Sequence, residues 1–295
     1  MGRHHGITRR RFLLVGALGL AGLLRGAGPA HTNAPYKAFL PLVSGGNERG
    51  LTICQQTDDC RVLGASWWHN WAMTPHLNMH QHVPFARSFG PTWDNQALTR
   101  HDLDYLPGIP IGGQMMIFNE PNVLGQGMYD LSTIGTAIRY VRDNRPDIKL
   151  GFPALLYTDT VEYGNWGYDT LLPYLTRNYE LTANDAAFSC YHAYGETAAQ
   201  ALAALDLAMS RAEGAWPGLA NKPKWVTECG FWFDGWGTNY VAELVVLMVG
   251  LRQRKIQRWA YFPAWAITDD TGQPYPLALR NANGITDMGV AYRDA

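Results

Sequence analysis

Short apolar runs recur along the chain, and each ends in polar or aromatic residues. They are Val62–Ala65, Val83–Ala86, Met115–Phe118, Leu150–Phe152, Ala186–Cys190, Trp225–Thr227 and Trp259–Phe262. Runs of this length, bounded by turn residues, suit strands buried on both faces. Met115–Phe118 follows Gly112-Gly113 and delivers Asn119-Glu120 to its end, where Pro121 cannot continue a central strand. Between the runs the apolar period changes to that of a helix. Leu131 to Arg145 has this spacing and stops at Pro146. Ala198 to Glu213 is rich in Ala and Leu, with Gly214 after it. Tyr240 to Arg254 has a broad apolar face and a basic last turn, which suits the helix dipole.

Alternation of this kind predicts a parallel sheet. A (β/α)8 TIM barrel needs ~250 residues, and the 295-residue chain has room for one beyond its N-terminal stretch. One strand is missing from the pattern between Gly90 and Gly113. Asn95 to Leu106 reads as helical and Ile109-Pro110-Ile111 is a poor strand. The barrel is therefore expected to be irregular around its third strand. A doubly wound open sheet is the alternative, but no glycine-rich phosphate loop follows an early strand.

Residues 1–30 read as a leader outside the fold. Thr8-Arg9-Arg10-Arg11-Phe12-Leu13-Leu14 opens an apolar run that Arg25 closes, before Gly28-Pro29-Ala30. That is the form of a twin-arginine export signal, too short to span a bilayer comfortably. The mature chain is expected to begin near His31, outside the cytoplasm and with no lasting membrane association. Residues 31–50, rich in Pro and Gly, read as a linker, and 51–295 as the barrel. In an oxidising compartment Cys54 and Cys60, so close together, suggest a small loop staple. Cys190 and Cys229 lie in apolar runs and are expected to be buried thiols.

Composition narrows the function. Hydrophobic residues at 47% and charged residues at 17% exclude a disordered or coiled-coil chain. A net charge of -1 argues against nucleic acid as a partner. The 11 Trp and 15 Tyr supply more polar ring groups than a core readily satisfies, so several are expected at a cleft. Flat aromatic faces also stack on sugar rings.

In a barrel the strand C-termini converge on one face, and that face carries the site. The runs place Trp68, His69, Asn70, Arg87, Asn119, Glu120, Tyr191, His192, Tyr194, Glu228 and Trp265 at such ends. Glu120 and Glu228 lie on different strands, and glycoside cleavage needs a carboxyl pair flanking the scissile bond. His76 and His80 share a helical face with His82 nearby. Pro75, Asn78 and Pro84 interrupt that segment and no carboxylate joins it, so no metal and no cofactor is expected.

Three motifs in order carry a resemblance: Asn119-Glu120-Pro121, His192-Ala193-Tyr194 and Thr227-Glu228-Cys229-Gly230. From Leu51 to the C-terminus the chain resembles the clan A glycoside hydrolases. It is most similar to the β-1,3-glucanases of the glycosyl hydrolase catalytic-core family, and also similar to β-xylosidase-like families. Trp68-His69-Asn70-Trp71 is a looser match to the Trp-Tyr-Asn-Trp type of opening. The resemblance implies that Glu120, after the fourth strand, is the acid/base and that Glu228, on the seventh, is the nucleophile. Asn119 would hydrogen-bond the sugar 2-hydroxyl. His192 and Tyr194 would line the site beside the nucleophile, Arg87 would support it, and Trp265 would be a sugar platform. Trp68, His69 and Asn70 are carried as substrate contacts. Cys229 departs from the aromatic residue common after the nucleophile.

The clan retains anomeric configuration, so the two carboxyl groups are expected ~5–5.5 Å apart. Glu228 is expected ionised and Glu120 protonated at rest. The expectation is a secreted monomer that cleaves a β-linked polysaccharide, β-1,3-glucan first and xylan next. The other classes are a non-catalytic carbohydrate-binding barrel and a cell-surface adhesion domain.

Overall fold

The computed structural model describes residues 48–75, 77, 79, 82–86, 101–123, 130–157, 166–233, 237–266 and 276–295. The leader, most of the linker, His76, His80 and Arg87 lie outside the described residues. Eight parallel strands form one sheet: β1 Glu48–Thr52, β2 Trp67–His69, β3 Phe85–Ala86, β4 Gln114–Ile117, β5 Lys149–Phe152, β6 Phe188–Gly195, β7 Lys224–Phe231 and β8 Arg258–Tyr261. Their order is β2-β1-β8-β7-β6-β5-β4-β3. A Trp68–His82 bridge and the bond from Val83 N to Trp68 O (2.9 Å) join the two ends. The sheet is thereby a (β/α)8 barrel.

Helices lie between strands and around them. Those described are α1 Asp59–Val62, α2 His101–Asp104, α3 Leu131–Asn144, α4 Tyr168–Tyr179, α5 Ala198–Ala215, α6 Tyr240–Gln253 and α7 Asp287–Asp294. The helices read at Leu131, Ala198 and Tyr240 start at those residues. Asp130, Thr197 and Asn239 cap them, each side chain accepting a backbone N–H of the first turn. No helix among the described residues is long and apolar enough to cross a membrane.

Two strands fall outside the apolar runs, β2 and β1, and three residues of β1 fall in the stretch read as linker. Glu48 and Arg49 are polar, and Gly50 has no side chain, so β1 has little apolar signature. Gly50 is required there: a Cβ would sit 2.3 Å from the Trp67 ring. Val62–Ala65 is not a strand. It is the end of α1 and a turn through Gly64, whose φ is +62°. The third strand is the two-residue β3, which pairs directly with β4 through Phe85–Met116 and Ala86–Ile117.

Alternation along the strands divides the core in two. Trp67, Phe85, Met116, Phe188, Cys190 and Trp225 fill the barrel. Leu, Ile and Val residues of the other strand face meet the helices outside it. Arg258 plugs the lower end. Its guanidinium lies 4.4 Å from the Trp225 ring centroid, bonds Gln114 Oε1 (2.8 Å) and pairs with Glu48 (2.5 Å).

At the upper end, Asp59 is fully buried and ties the β1–α1 loop to the segment after β8. Its Oδ2 accepts the N–H groups of Gln55 (2.8 Å) and Gln56 (2.9 Å) and Trp265 Nε1 (2.8 Å). Its Oδ1 accepts from Arg280 (2.6 Å). Cys54 and Cys60 flank this loop as thiols, so the expected disulfide staple is absent. The Asp59 carboxylate closes the loop instead. Removing one partner of a buried charge pair costs ~3–5 kcal/mol. Asp59→Ala is therefore expected to lower the urea midpoint sharply, and a variant that unfolds at the wild-type midpoint would remove Asp59 from this role.

Candidate active site

The chain leaves β4 through two left-handed residues, Phe118 (φ +58°) and Glu120 (φ +42°). Such a conformation costs a non-glycine residue ~1–3 kcal/mol and persists only where surrounding bonds impose it. Here Phe118 N bonds Ala86 O (2.8 Å) and Glu120 N bonds Ala154 O (3.0 Å). The neighbouring strands thus turn the Glu120 carboxyl inward, where the residue is buried. Glu228 reaches the same space from β7. The β6–β7 register shifts between Tyr191 and His192, which sets His192 opposite Glu228. Another shift, between β7 and β8, falls at Val226–Cys229. Irregularities of this kind re-aim side chains.

The two glutamates meet around one imidazole. His192 Nδ1 lies 2.6 Å from Glu120 Oε1, and Nε2 lies 3.6 Å from Glu228 Oε1. Tyr194 donates its hydroxyl to Glu228 Oε2 (2.8 Å). Trp71 Nε1 donates to Glu228 Oε1 (2.5 Å), with Asn119 Oδ1 also 3.2 Å away. An oxygen or nitrogen of Glu120, His192 and Glu228 all fall within 4.8 Å of one another. That spacing also suits a cation. However, His192 Nδ1 already engages Glu120 Oε1, and Trp71 and Tyr194 engage both oxygens of Glu228. Glu120 Oε2 and His192 Nε2 have no hydrogen-bond partner among the described residues.

Burial pushes the Glu228 carboxyl up, and the negative charge of Glu120 adds to this; His192 and the Trp71 and Tyr194 bonds offset part of it. Burial opposes charge on His192, but the Glu228 carboxylate and the bond to Glu120 outweigh it, and the net direction is up. Burial pushes the Tyr194 hydroxyl up, so it remains a donor.

Among the site residues read from sequence, Glu120, Glu228, Asn119, His192 and Tyr194 come together here. Arg87 lies outside the described residues. Trp68 does not face the site: it is fully buried in the layer between sheet and helices, with an edge on His82 (4.7 Å). A three-residue strand alternates faces, and Trp68 is the outward member. His69 points inward but lies below the site, fully buried, with Nε2 donating to Thr227 O (2.8 Å). Burial pushes it down to about 3, so the ring is neutral and props Trp71 edge-on at 5.1 Å. Asn70 accepts from His82 Nε2 (2.8 Å) and holds the β2–β3 connection. Trp265 is buried, with its indole N–H on Asp59 and Arg280 over its ring at 5.3 Å. One face of this platform is already covered.

Three further contributors carry little signal in the sequence. Trp71, φ +50°, is only the last letter of the looser motif, yet it bonds Glu228. Trp232 stacks on Tyr194, with centroids 6.3 Å apart and 10° between planes. Phe262 meets both Trp71 and Tyr194 edge-on. Gly230 admits it: a Cβ there would sit 2.5 Å from Phe262 O.

The sequence profile described as the glycosyl hydrolase catalytic core matches residues 52–292. The chain belongs to the glycosyl hydrolase catalytic core family. Among curated proteins no relative matches the sequence. Solved structures that share the fold of this glycosyl hydrolase have low identity. An endo-beta-1,3-glucanase of GH128 subgroup I from Amycolatopsis mediterranei, with laminaritriose and laminaribiose, is 20% identical at TM-score 0.62, covering 85% of this chain and 100% of its own. A curdlan-specific exo-beta-1,3-glucanase of subgroup III from Blastomyces gilchristii is 20% identical at TM-score 0.60, covering 84% and 98%. An oligosaccharide-binding protein of subgroup VII from Trichoderma gamsii is 18% identical at TM-score 0.61, covering 88% and 96%. At these identities the likeness establishes the glycosyl hydrolase fold.

Proposed function

We propose that this glycosyl hydrolase is a retaining β-glucanase, with β-1,3-glucan as its first substrate, Glu120 as acid/base and Glu228 as nucleophile. The observation that carries the reading is the 4.8 Å span enclosing atoms of Glu120, His192 and Glu228. Inverting enzymes hold their carboxyl groups ~6.5–9.5 Å apart, with room for a water between, whereas retaining enzymes hold them ~5–5.5 Å apart. The choice of glucan draws on the structural relatives, whose bound laminari-oligosaccharides are β-1,3-linked.

Glu228 attacks the anomeric carbon while Glu120 protonates the departing oxygen. Glu120 Oε1 is held by His192, and Oε2 has no partner among the described residues, so Oε2 is the oxygen offered to the glycosidic bond. A glycosyl ester on Glu228 results. Glu120, now a carboxylate, takes a proton from water, the water attacks the same carbon, and the ester bond to Glu228 breaks. Asn119 is placed to bond the sugar 2-hydroxyl as positive charge grows on the ring. Tyr194, Trp232 and Phe262 form an aromatic cluster beside Glu228.

Laminarin, xylan and mannan digestions followed by proton NMR test this. Laminarin is expected to release products first seen as the β-anomer. An α-anomer first would reverse the mechanism, and xylan or mannan turnover alone would reverse the substrate. The relative from Trichoderma gamsii points to the second reading, a barrel that binds oligosaccharide without cutting it. Both carboxylates in place weigh against that reading. Saturable laminarihexaose binding with no product would establish it.

The acid limb of activity follows Glu228. Its charge is lost as pH falls, and because burial raises the group, that loss occurs above the ordinary carboxylate range. Trp71→Phe removes a donor to the charged form and is expected to move the limb higher still. Hydrogen bonds to charged groups are worth ~1.5–3 kcal/mol, so kcat/KM near neutral pH falls by roughly 10- to 100-fold. A pH–rate profile of this variant that overlays the wild type would separate Trp71 from the nucleophile.

The paired arginines at Arg9 and Arg10 support export with cleavage near His31 and action outside the cytoplasm, and the exported protein is proposed to act as a monomer. Intact-mass measurement of exported protein, with sedimentation, tests both; a retained leader argues against cleavage.

A further inference from the structure

His192 lies between the carboxyl groups of two glutamates. Its Nδ1 is 2.6 Å from Glu120 Oε1, and its Nε2 is 3.6 Å from Glu228 Oε1. No other cation stands in ion-pair range of either carboxylate among the described residues. The ring and both glutamates are buried. Nε2 has no hydrogen-bond partner among the described residues, and the nearest charge it faces is Glu228. A neutral ring protonated at Nδ1 would aim the Nε2 lone pair at a carboxylate oxygen in a buried site, an unfavourable arrangement. A proton on Nε2 turns that repulsion into attraction. The titratable groups facing the ring, from its own strand and from others, do not supply the charge. Tyr194 on β6 keeps its proton for Glu228, and His69 on β2 is neutral.

We propose that His192 works as a fixed imidazolium whose charge is shared between the two glutamates before the reaction and falls wholly on Glu120 once Glu228 is esterified. The inference rests on the proposed retaining reaction and adds a positioning residue to it. In the free enzyme the cation keeps Glu228 ionised for attack. When the ester forms, Glu228 carries no charge, and the Nε2–H loses its counterion. The imidazolium then favours the carboxylate form of Glu120 alone, at the step in which Glu120 must act as a base. No proton needs to leave the ring in either step, so the exchange of roles costs no extra transfer.

Nitrogen-15 NMR of the full chain labelled at histidine tests this without turnover. His192 is assigned among the nine histidines by the signal that His192→Gln removes, or by His192→Asn if that variant folds better. Both ring nitrogens are expected to carry protons at pH 7. In Glu228→Gln, which keeps the side chain's shape but not its charge, the His192 titration midpoint is expected to fall by ~1–3 pH units, the usual effect of losing an opposite charge at this range. A single protonated nitrogen at pH 6, or a midpoint unmoved by Glu228→Gln, overturns the proposal. In kinetics, His192→Gln is expected to shift the acid limb upward, which a merely structural role would not do. Should the polysaccharide panel show no hydrolysis, the function fails while the NMR result still decides the charge on His192.

Discussion

Glu228→Gln is expected to leave a folded protein that has lost turnover of laminarin by roughly 10⁴-fold or more, the scale seen when a nucleophile is removed from a catalytic unit. The amide keeps an oxygen for Trp71 Nε1, and the Tyr194 hydroxyl accepts from the amide N–H₂ as readily as it donated. The substitution also removes a charge whose burial opposes folding, so a thermal melt is expected at or above the wild-type midpoint. Loss of rate without loss of stability is the signature of a group kept for chemistry. Reducing-sugar release beside a calorimetric scan reads both at once. A variant within tenfold of wild type would remove Glu228 as the nucleophile. A variant that melts well below wild type would make it a structural acid.

The fold is largely legible because barrel strands buried on both faces read as unbroken apolar runs, and Met115–Phe118, Leu150–Phe152 and Trp259–Phe262 are of that kind. What stays hidden is β1. Its burial begins only at Gly50, and the polar Glu48 and Arg49 serve the barrel floor and the C-terminal helix: Glu48 pairs with Arg258, and Arg49 bonds Tyr292 O. Pairing across the sheet imposes this strand, and no local period reports it. β2, Trp67–His69, also falls outside the apolar runs, because its Trp-Trp-His sequence reads as the aromatic end of a strand, whereas β3 lies inside the run at Val83–Ala86.

The candidate site divides along the same line. Glu120 and Glu228 are visible from sequence because a carboxylate ending an apolar run has few structural uses. Their mutual approach is not visible, since it depends on the positive φ at Phe118 and Glu120 and on the register shift at Tyr191–His192. Trp68 and Trp71 show the limit most plainly. Both belong to one aromatic cluster, yet strand alternation sends Trp68 into the outer layer, and a left-handed turn sends Trp71 to Glu228. His69 reads as a substrate contact because it sits at a strand end. Its depth below the rim, bonded to the Thr227 carbonyl one residue before Glu228, makes it instead a support for the residues above.

Glu120→Gln separates the two halves of the proposed reaction, and its effect is expected to depend on the leaving group. With laminarin, where the departing sugar oxygen needs a proton, kcat is expected to fall by ~10²–10⁴, the worth of a positioned acid. With a dinitrophenyl β-glucoside or laminaribioside, the leaving group needs no acid, so the Glu228 ester forms at a near-normal rate and then accumulates. The missing base now limits turnover, and a burst of dinitrophenolate should precede a slow steady state. Azide needs no base to attack. Added azide is therefore expected to restore turnover and to yield the β-glycosyl azide, because two inversions at the anomeric carbon return the starting configuration. The α-azide would mean a single displacement and would end the case for a nucleophilic Glu228. Equal losses on laminarin and on the activated substrate, with no burst and no azide effect, would place Glu120 in binding. The buried bond from His192 to Glu120 Oε1 makes the amide a fair control: the glutamine oxygen still accepts from Nδ1, so the ring stays in place while the transferable proton is gone.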